Sequence, residues 1–143
     1  MIIDMGWNRI KSVINSMNKK QVEVGFINNS SNIATIAFLN EFGHKARDGS
    51  QVPERPFMRN ALKKYQESFL KESAQRIKAI MQSSLSLDSY LNEMGKFWQD
   101  RIKYSIAEFN NPRNKPSTIK RKGFDDPLIH TGLMLATVKY KIK

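Results

Sequence analysis

Two runs of apolar residues at helical spacing, set almost end to end, limit the folds open to this sequence. Met58, Leu62, Tyr65, Phe69, Ile77 and Ile80 form the first run, and Leu87, Leu91, Met94, Trp98, Ile102, Ile106 and Phe109 form the second. Side chains three and four apart share one face of an α-helix, so each run predicts an amphipathic helix. Pro56 opens the first at a position where a missing N–H costs nothing, and the helix extends to about Ser83 with Ser73 as one polar interruption. SSLSLD then breaks the pattern and offers Ser86 or Asp88 as a cap for the second helix. A connection this short makes the two helices antiparallel neighbours. Gly95 lies inside the second helix, where glycine costs about 1 kcal/mol relative to alanine. The expectation is that another backbone approaches closely there. NNPRNKP closes the helix.

The flanking segments are mixed. Ile3, Trp7, Ile10, Ile14 and Met17 fall on one helical face, with Asp4 near its start and Asn18-Lys19-Lys20 at its end. QVEVGFI alternates, placing Val22, Val24 and Phe26 on the buried side of a strand. NNSSN interrupts it and supplies Ser31 or Asn32 as the cap of a short apolar helix, IATIAFLNEF, which stops at Gly43. HKARDGSQVPE has no apolar period and reads as a long loop or hairpin arm. Phe57, just past it, is expected to anchor the arm's exit against the short helix ending in Phe42. Further on, PSTIKRKG has the grammar of a brief helix with Ser117 as cap and Gly123 as stop, and Asp126-Pro127 turns the chain. Thr131-Gly132 starts a second brief turn, with Leu133, Met134 and Leu135 available to plug the core.

TVKYKIK then alternates Val138, Tyr140 and Ile142 against Lys139, Lys141 and Lys143, a half-buried strand suited to pair with residues 22–26. Two strands alone are marginal in water. Either the arm extends the sheet or a neighbouring subunit does. The fold class is therefore α+β: a small antiparallel sheet packed on two long antiparallel helices plus shorter ones. The expected organisation is one domain over residues 1–143, with 44–55 as a flexible arm.

Charge and residue usage exclude several functions. The chain carries 24 Lys+Arg against 13 Asp+Glu, a formal net charge of +11, spread from Arg9 to Lys143. Such an excess favours a polyanionic neighbour, either nucleic acid or an acidic protein surface. Without cysteine there is no disulfide framework and no thiolate zinc site. No apolar run approaches the roughly 20 residues that span a bilayer, and MIIDMGWNRI lacks the pattern of a secretory signal. Assembly in the cytoplasm without membrane partners is the default.

His44 and His130 stand far apart, a poor basis for a metal site. A nuclease reading would need Glu41, Asp125 and Asp126 to meet near a lysine, whereas acids beside Lys and Arg more often form solvated ion pairs. No nucleophile elbow or phosphate-cradling glycine loop is present. The expectation is a non-enzyme without cofactor or metal. For nucleic acid, Lys120, Arg121 and Lys122 cluster, and Lys139, Lys141 and Lys143 line one strand face. Phosphate neutralisation needs such charge and nothing more specific. Lysines on an open strand also discourage aggregation. No zinc-finger, helix-turn-helix or RNA-recognition pattern accompanies them.

Three blocks, FLNEFG at 38–43, VPERPFMRNAL at 52–62 and PSTIKRKGFDDPLIHTGLML at 116–135, taken in this order, resemble the head–tail joining and tail-completion proteins of tailed bacteriophages. The resemblance implies an α+β structural subunit at the neck or tail end of a virion, with no catalytic site. It implies a ring, hexameric by that likeness, abutting connector, tail-terminator or tail-tube proteins, with non-specific contact to packaged DNA. The residues it singles out are Glu41, Phe42 and Gly43; Arg55, Pro56 and Phe57; and Pro127, Leu128, Ile129, Thr131 and Gly132. His130 stands where the pattern has an aspartate. In this reading the 116–135 stretch is scaffolding: Pro127, Thr131 and Gly132 set its path, and Leu128, Ile129, Leu133 and Leu135 hold it to the helices. Lys120, Arg121 and Lys122 stay outside for an acidic neighbour or DNA. The alternative is a basic nucleic-acid-binding or nuclease-like phage protein.

Overall fold

A computed structural model describes residues 5–27, 31–129 and 131–143; Ile3, Asp4 and His130 lie outside the described residues. In chain order the elements are α1 (Met5–Asn18), β1 (Val22–Gly25), α2 (Ser31–Phe42), β2 (His44–Lys45), β3 (Gln51–Val52), α3 (Phe57–Met81), α4 (Leu87–Ala107), α5 (Pro116–Lys122), α6 (Leu133–Thr137) and β4 (Lys139–Ile142). The fold is α+β, with α3 and α4 packed as an antiparallel pair and the small sheet lying on α4.

The α3–α4 turn follows the local signals. Ser86 is extended, and its Oγ accepts the Ser89 N–H at 3.1 Å, the bond expected of an N-cap. Pro56 sits one position earlier than expected, as the residue before the helix rather than its first member. The buried face of α3 is also rotated from the predicted stripe. Phe57, Ala61, Ser73 and Ile80 are buried, while Leu62 is 53% exposed. The stripe was inferred from apolarity alone, and the side facing α4 at the start of α3 takes small Ala61 in place of Leu62.

The core draws on α2, α3, α4, α6 and the segments before α6 and β4: Ala37, Phe57, Ala61, Ile102, Ile106, Leu128, Met134 and Val138. Fully burying a side chain of the size of Phe57 or Ile106 is worth about 1.5–3 kcal/mol. Phe57 meets Phe26 edge-on at 6.1 Å. Ala37 of α2 shares this core with Phe57, in line with the expected anchoring on that helix, while Phe42 at its end lies outside, 54% exposed and tilted against Phe38 at 4.9 Å. Tyr65, Phe69 and Trp98 are half-buried rather than central, with Phe69 and Trp98 joining Phe97 in a cluster at ring distances of 5.1–5.3 Å. On α1 the apolar face is only partly covered, because Trp7 and Ile14 remain exposed.

β1 and β4 pair antiparallel with Val22 opposite Ile142 and Val24 opposite Tyr140, the match of apolar faces read from the sequence. Gly95 is tied to this sheet. A Cβ there would lie 2.3 Å from Tyr140 Cδ2, so the close neighbour is an aromatic ring and not a backbone. The arm forms its own hairpin, His44 opposite Val52 and Lys45 opposite Gln51, and does not extend the β1–β4 sheet. At α5 the cap position belongs to Lys115 with Pro116 as the first helical residue, so Ser117 is not the cap; Gly123 (φ 84°) ends the helix as expected. Pro116 takes the place that needs no N–H, which pushes Ser117 inside. At α6, Met134 enters the core while Leu133 is exposed, correcting its expected role.

Candidate functional site: the junction of α2, the hairpin and α3

Glu41 sits in the last turn of α2, where the helix dipole disfavours a carboxylate. It is buried, 4% exposed, and its acceptors are spent on the next long helix. Oε2 accepts the Met58 N–H at 3.0 Å, and Oε1 accepts the Arg59 N–H at 3.1 Å and Arg59 Nε at 3.0 Å. The first N–H groups of a helix have no partner within it and carry partial positive charge, so this carboxylate caps α3 from another segment. Pro56, the residue before α3, provides no side-chain cap.

Arg59 completes the clamp. Nη2 donates to the Glu41 carbonyl at 2.7 Å and to Glu54 Oε2 at 2.9 Å, and the guanidinium lies 5.1 Å from the Phe42 ring centre. Hydrogen bonds to Glu54 and then to Glu41 raise its pKa from the ordinary value. Gly43 makes the crossing possible. Its φ is +68°, and a Cβ would fall 2.8 Å from both Glu54 N and Val52 O, which are backbone atoms that cannot swing away. Within the hairpin, Ala46 N–H donates to Ser50 O at 2.8 Å and Ser50 N–H donates to Asp48 Oδ1 at 2.9 Å. Hydrogen bonds from Ser50 hold the Asp48 carboxyl below its ordinary pKa.

Arg55 draws in a third segment. Its N–H donates to the Asn40 carbonyl at 2.6 Å, Nη1 reaches Asn40 Oδ1 and Nη2 reaches Asn114 Oδ1, each at 3.3 Å. The guanidinium is buried, and desolvation lowers its pKa while Asp125 acts in the opposite sense. Asp125 in turn accepts the Asn114 N–H at 3.0 Å and Arg113 Nε at 2.7 Å. Ser105 Oγ donates to the Phe57 carbonyl at 2.7 Å, joining the start of α3 to α4.

The residues singled out by sequence thus separate into two sets. Glu41, Gly43, Arg55 and Phe57 meet in this junction, with Pro56 leading into α3 and Phe42 at its surface. Pro127 and Leu128 are buried beyond it, Ile129 is half-buried, and Leu128 joins the core. Thr131 is exposed; its Oγ1 accepts the Leu133 N–H at 3.4 Å beside Gly132 (φ 73°), which precedes α6. Among the basic residues, Lys120 and Arg121 are exposed. Lys122 is partly turned in, a correction to its expected position: Nζ donates to the Asp126 carbonyl at 2.7 Å and lies 4.9 Å from the Phe124 ring centre. Burial lowers its pKa, with Asp126 opposing. Lys139, Lys141 and Lys143 are exposed along β4, and Lys143 pairs with Glu23.

Asn40, Arg59 and Asn114 were missed by sequence reasoning. One signal was legible: a glutamate at the wrong end of α2 for the dipole implies a use elsewhere. Glu41 and Asp125 are both committed to structural donors. No group of three or more His, Asp or Glu able to hold a metal occurs among the described residues, and no helix among them is long and apolar enough to cross a membrane.

The fold and this junction define an α+β chain in which a helical hairpin carries a small sheet, and three separate segments lock together at the start of α3. No protein-family model, curated protein or solved structure matches the chain.

Proposed function

We propose that this chain is a non-enzymatic structural subunit of a tailed-bacteriophage virion, a tail-completion or head–tail connector protein that assembles into a ring. One observation carries the reading. The blocks that bear the resemblance are physically interdependent: Glu41 of the first caps the helix opened by the second, and Arg55 of the second reaches Asn114, whose N–H is held by Asp125 of the third. The bonds that these side chains make serve to shape the chain, and Arg55 Nε and Asn114 Nδ2 make none among the described residues. Further support comes from the apolar surface around the junction, where Phe38, Phe42 and Leu62 are 61%, 54% and 53% exposed. Exposed aromatic side chains next to one another suit a surface that another subunit covers. In this reading the hairpin arm, residues 44–55, also reaches a neighbour.

Mass photometry of the purified protein with virion partner proteins, together with electron microscopy of particles, tests this. Closed rings located at the neck or tail end are expected. A chain that stays monomeric and is missing from particles would sink the reading.

A second reading, a basic nucleic-acid-binding protein, draws on exposed Lys120 and Arg121 and the lysine row on β4. It expects DNA affinity that falls steeply with salt and weakens when Lys120 and Arg121 become alanine. A gel shift across salt concentrations separates the two readings.

A further inference from the structure

The β1–β4 sheet has two strands and two open edges, and the hydrogen-bond register identifies the groups on each edge. Gln21 and Lys143 exchange both backbone bonds, each at 2.9 Å. In an antiparallel ladder bonded and non-bonded pairs alternate. Glu23 with Lys141 and Gly25 with Lys139 are therefore the next bonded pairs in the register. The N–H and C=O groups of Val22 and Val24 point away from β4, and those of Tyr140 and Ile142 point away from β1. No backbone hydrogen bond to another segment engages these four residues among those described. Beside the β1 edge runs a largely apolar groove of about 320 Å³ lined by Val22, Val24, Met58, Arg59, Leu62, Trp98 and Ile102.

We infer that the β1 edge accepts the β4 edge of a second copy of this chain, so that copies join head to tail in one continuous antiparallel sheet. Two features select this occupant. First, direction: β1 and β4 run opposite ways, so adding the next copy's β4 beside β1 continues the alternation with no change of pairing type. Secondly, charge: the outward face carries Gln21, Glu23 and Gly25 on β1 but Lys139, Lys141 and Lys143 on β4. Pairing β1 with β1 would set Glu23 near Glu23, and pairing β4 with β4 would bring two lysine rows together. Only the unlike pairing flanks each Glu23 with lysines on both sides.

Core-facing side chains of the added strand would fall over the groove beside Leu62 and Trp98. Because the two joined edges differ, the contact is heterologous and propagates until a ring closes. This deepens the assembly reading above and rests on it.

The chain has no cysteine, which makes a cross-link test direct. Glu23→Cys and Lys141→Cys are made in separate chains, so that neither has a thiol partner in its own chain. They are mixed in equal parts, assembled and oxidised, with Gln21→Cys and Lys139→Cys as register neighbours. The expected product is the mixed dimer of a β1 variant with a β4 variant, several-fold over either like-with-like dimer. Predominant like-with-like products overturn the inference. Assemblies that form without any cross-link also overturn it while leaving the assembly reading intact; failure of any assembly to form removes both.

Val24→Pro provides an independent arm. It deletes an outward N–H but leaves the Glu23 and Gly25 ladder bonds, and Val24→Ala keeps that N–H. With helical circular dichroism unchanged, the proline variant should assemble about tenfold more weakly, as for loss of a hydrogen bond at each joint, and the alanine variant much less so. Equal assembly of the two variants would overturn the inference.

Discussion

At the start of α3, polar groups from three segments bond to one another, with Arg55 Nε and Asn114 Nδ2 buried and making no hydrogen bond among the described residues. In the β1–β4 sheet, half of the backbone groups on each strand face outward with nothing to bond. Both regions hold distant parts of the chain together, but by different means. The junction uses a buried carboxylate and two arginines whose bonds run to partners in the same chain. The sheet uses a repeating backbone ladder, and a ladder always leaves a free side unless it closes or is covered. Bonds closed within one chain are what the proposed structural subunit requires of a scaffold, and the open ladder is where that proposal adds a second copy.

The sharpest way to break this contrast is at the junction. Glu41→Ala removes the acceptor for two helix N–H groups and for Arg59 Nε. A lost cap and a lost charge-assisted bond together are expected to cost about 3 kcal/mol in urea unfolding. Glu41→Gln should recover part of the loss, because the amide keeps one oxygen acceptor. A cost below that of an ordinary surface change would mean that the junction does not hold the start of α3.

Gly95→Ala addresses the sheet from beneath. The added methyl meets the Tyr140 ring at its base, Cγ at 2.6 Å, so β4 must shift. Overpacking of this kind costs about 1–3 kcal/mol, offset in part by the roughly 1 kcal/mol that alanine gains over glycine in a helix. Net destabilisation with loss of β4 amide protection is expected; a more stable protein would show that Tyr140 moves away freely.

Hydrogen exchange distinguishes the two regions without mutation. In dilute, unassembled protein the Met58 and Arg59 amides should be protected, as should those of Glu23 and Lys141, whereas Val22, Val24, Tyr140 and Ile142 should exchange faster. On assembly the outward four should slow, and so should the hairpin arm. Unchanged exchange at the outward four would erase the contrast.

The smallest effect concerns Lys122. Its pKa is depressed by burial, so in the window between the folded value and the higher unfolded value the unfolded chain binds more protons, and stability rises with pH there. Below that window the desolvation penalty is present in full. A shallow upward slope of unfolding free energy at alkaline pH, lost in Lys122→Gln, is expected. Lys120→Ala and Arg121→Ala, being exposed, should stay within about 0.5 kcal/mol of the parent.

What the sequence determined by itself was local. Ser86 as a cap, Gly43 and Gly123 as left-handed stops, the two long helices and the alternation of β4 depend on neighbours within a turn or two, and linear spacing records those. Tertiary structure decided which distant groups would meet. Glu41 faces the start of α3 across 17 residues, Arg55 finds Asn114 across 59, and Gly95 receives a tyrosine ring from the last strand. A carboxylate or a guanidinium bonds with whatever donor or acceptor the packing brings within reach, and spacing along the chain holds no record of that. Burial of Ala61 in place of Leu62 has the same cause: apolarity marks a helix face to within a residue or two, and the shape of the opposing helix selects among them.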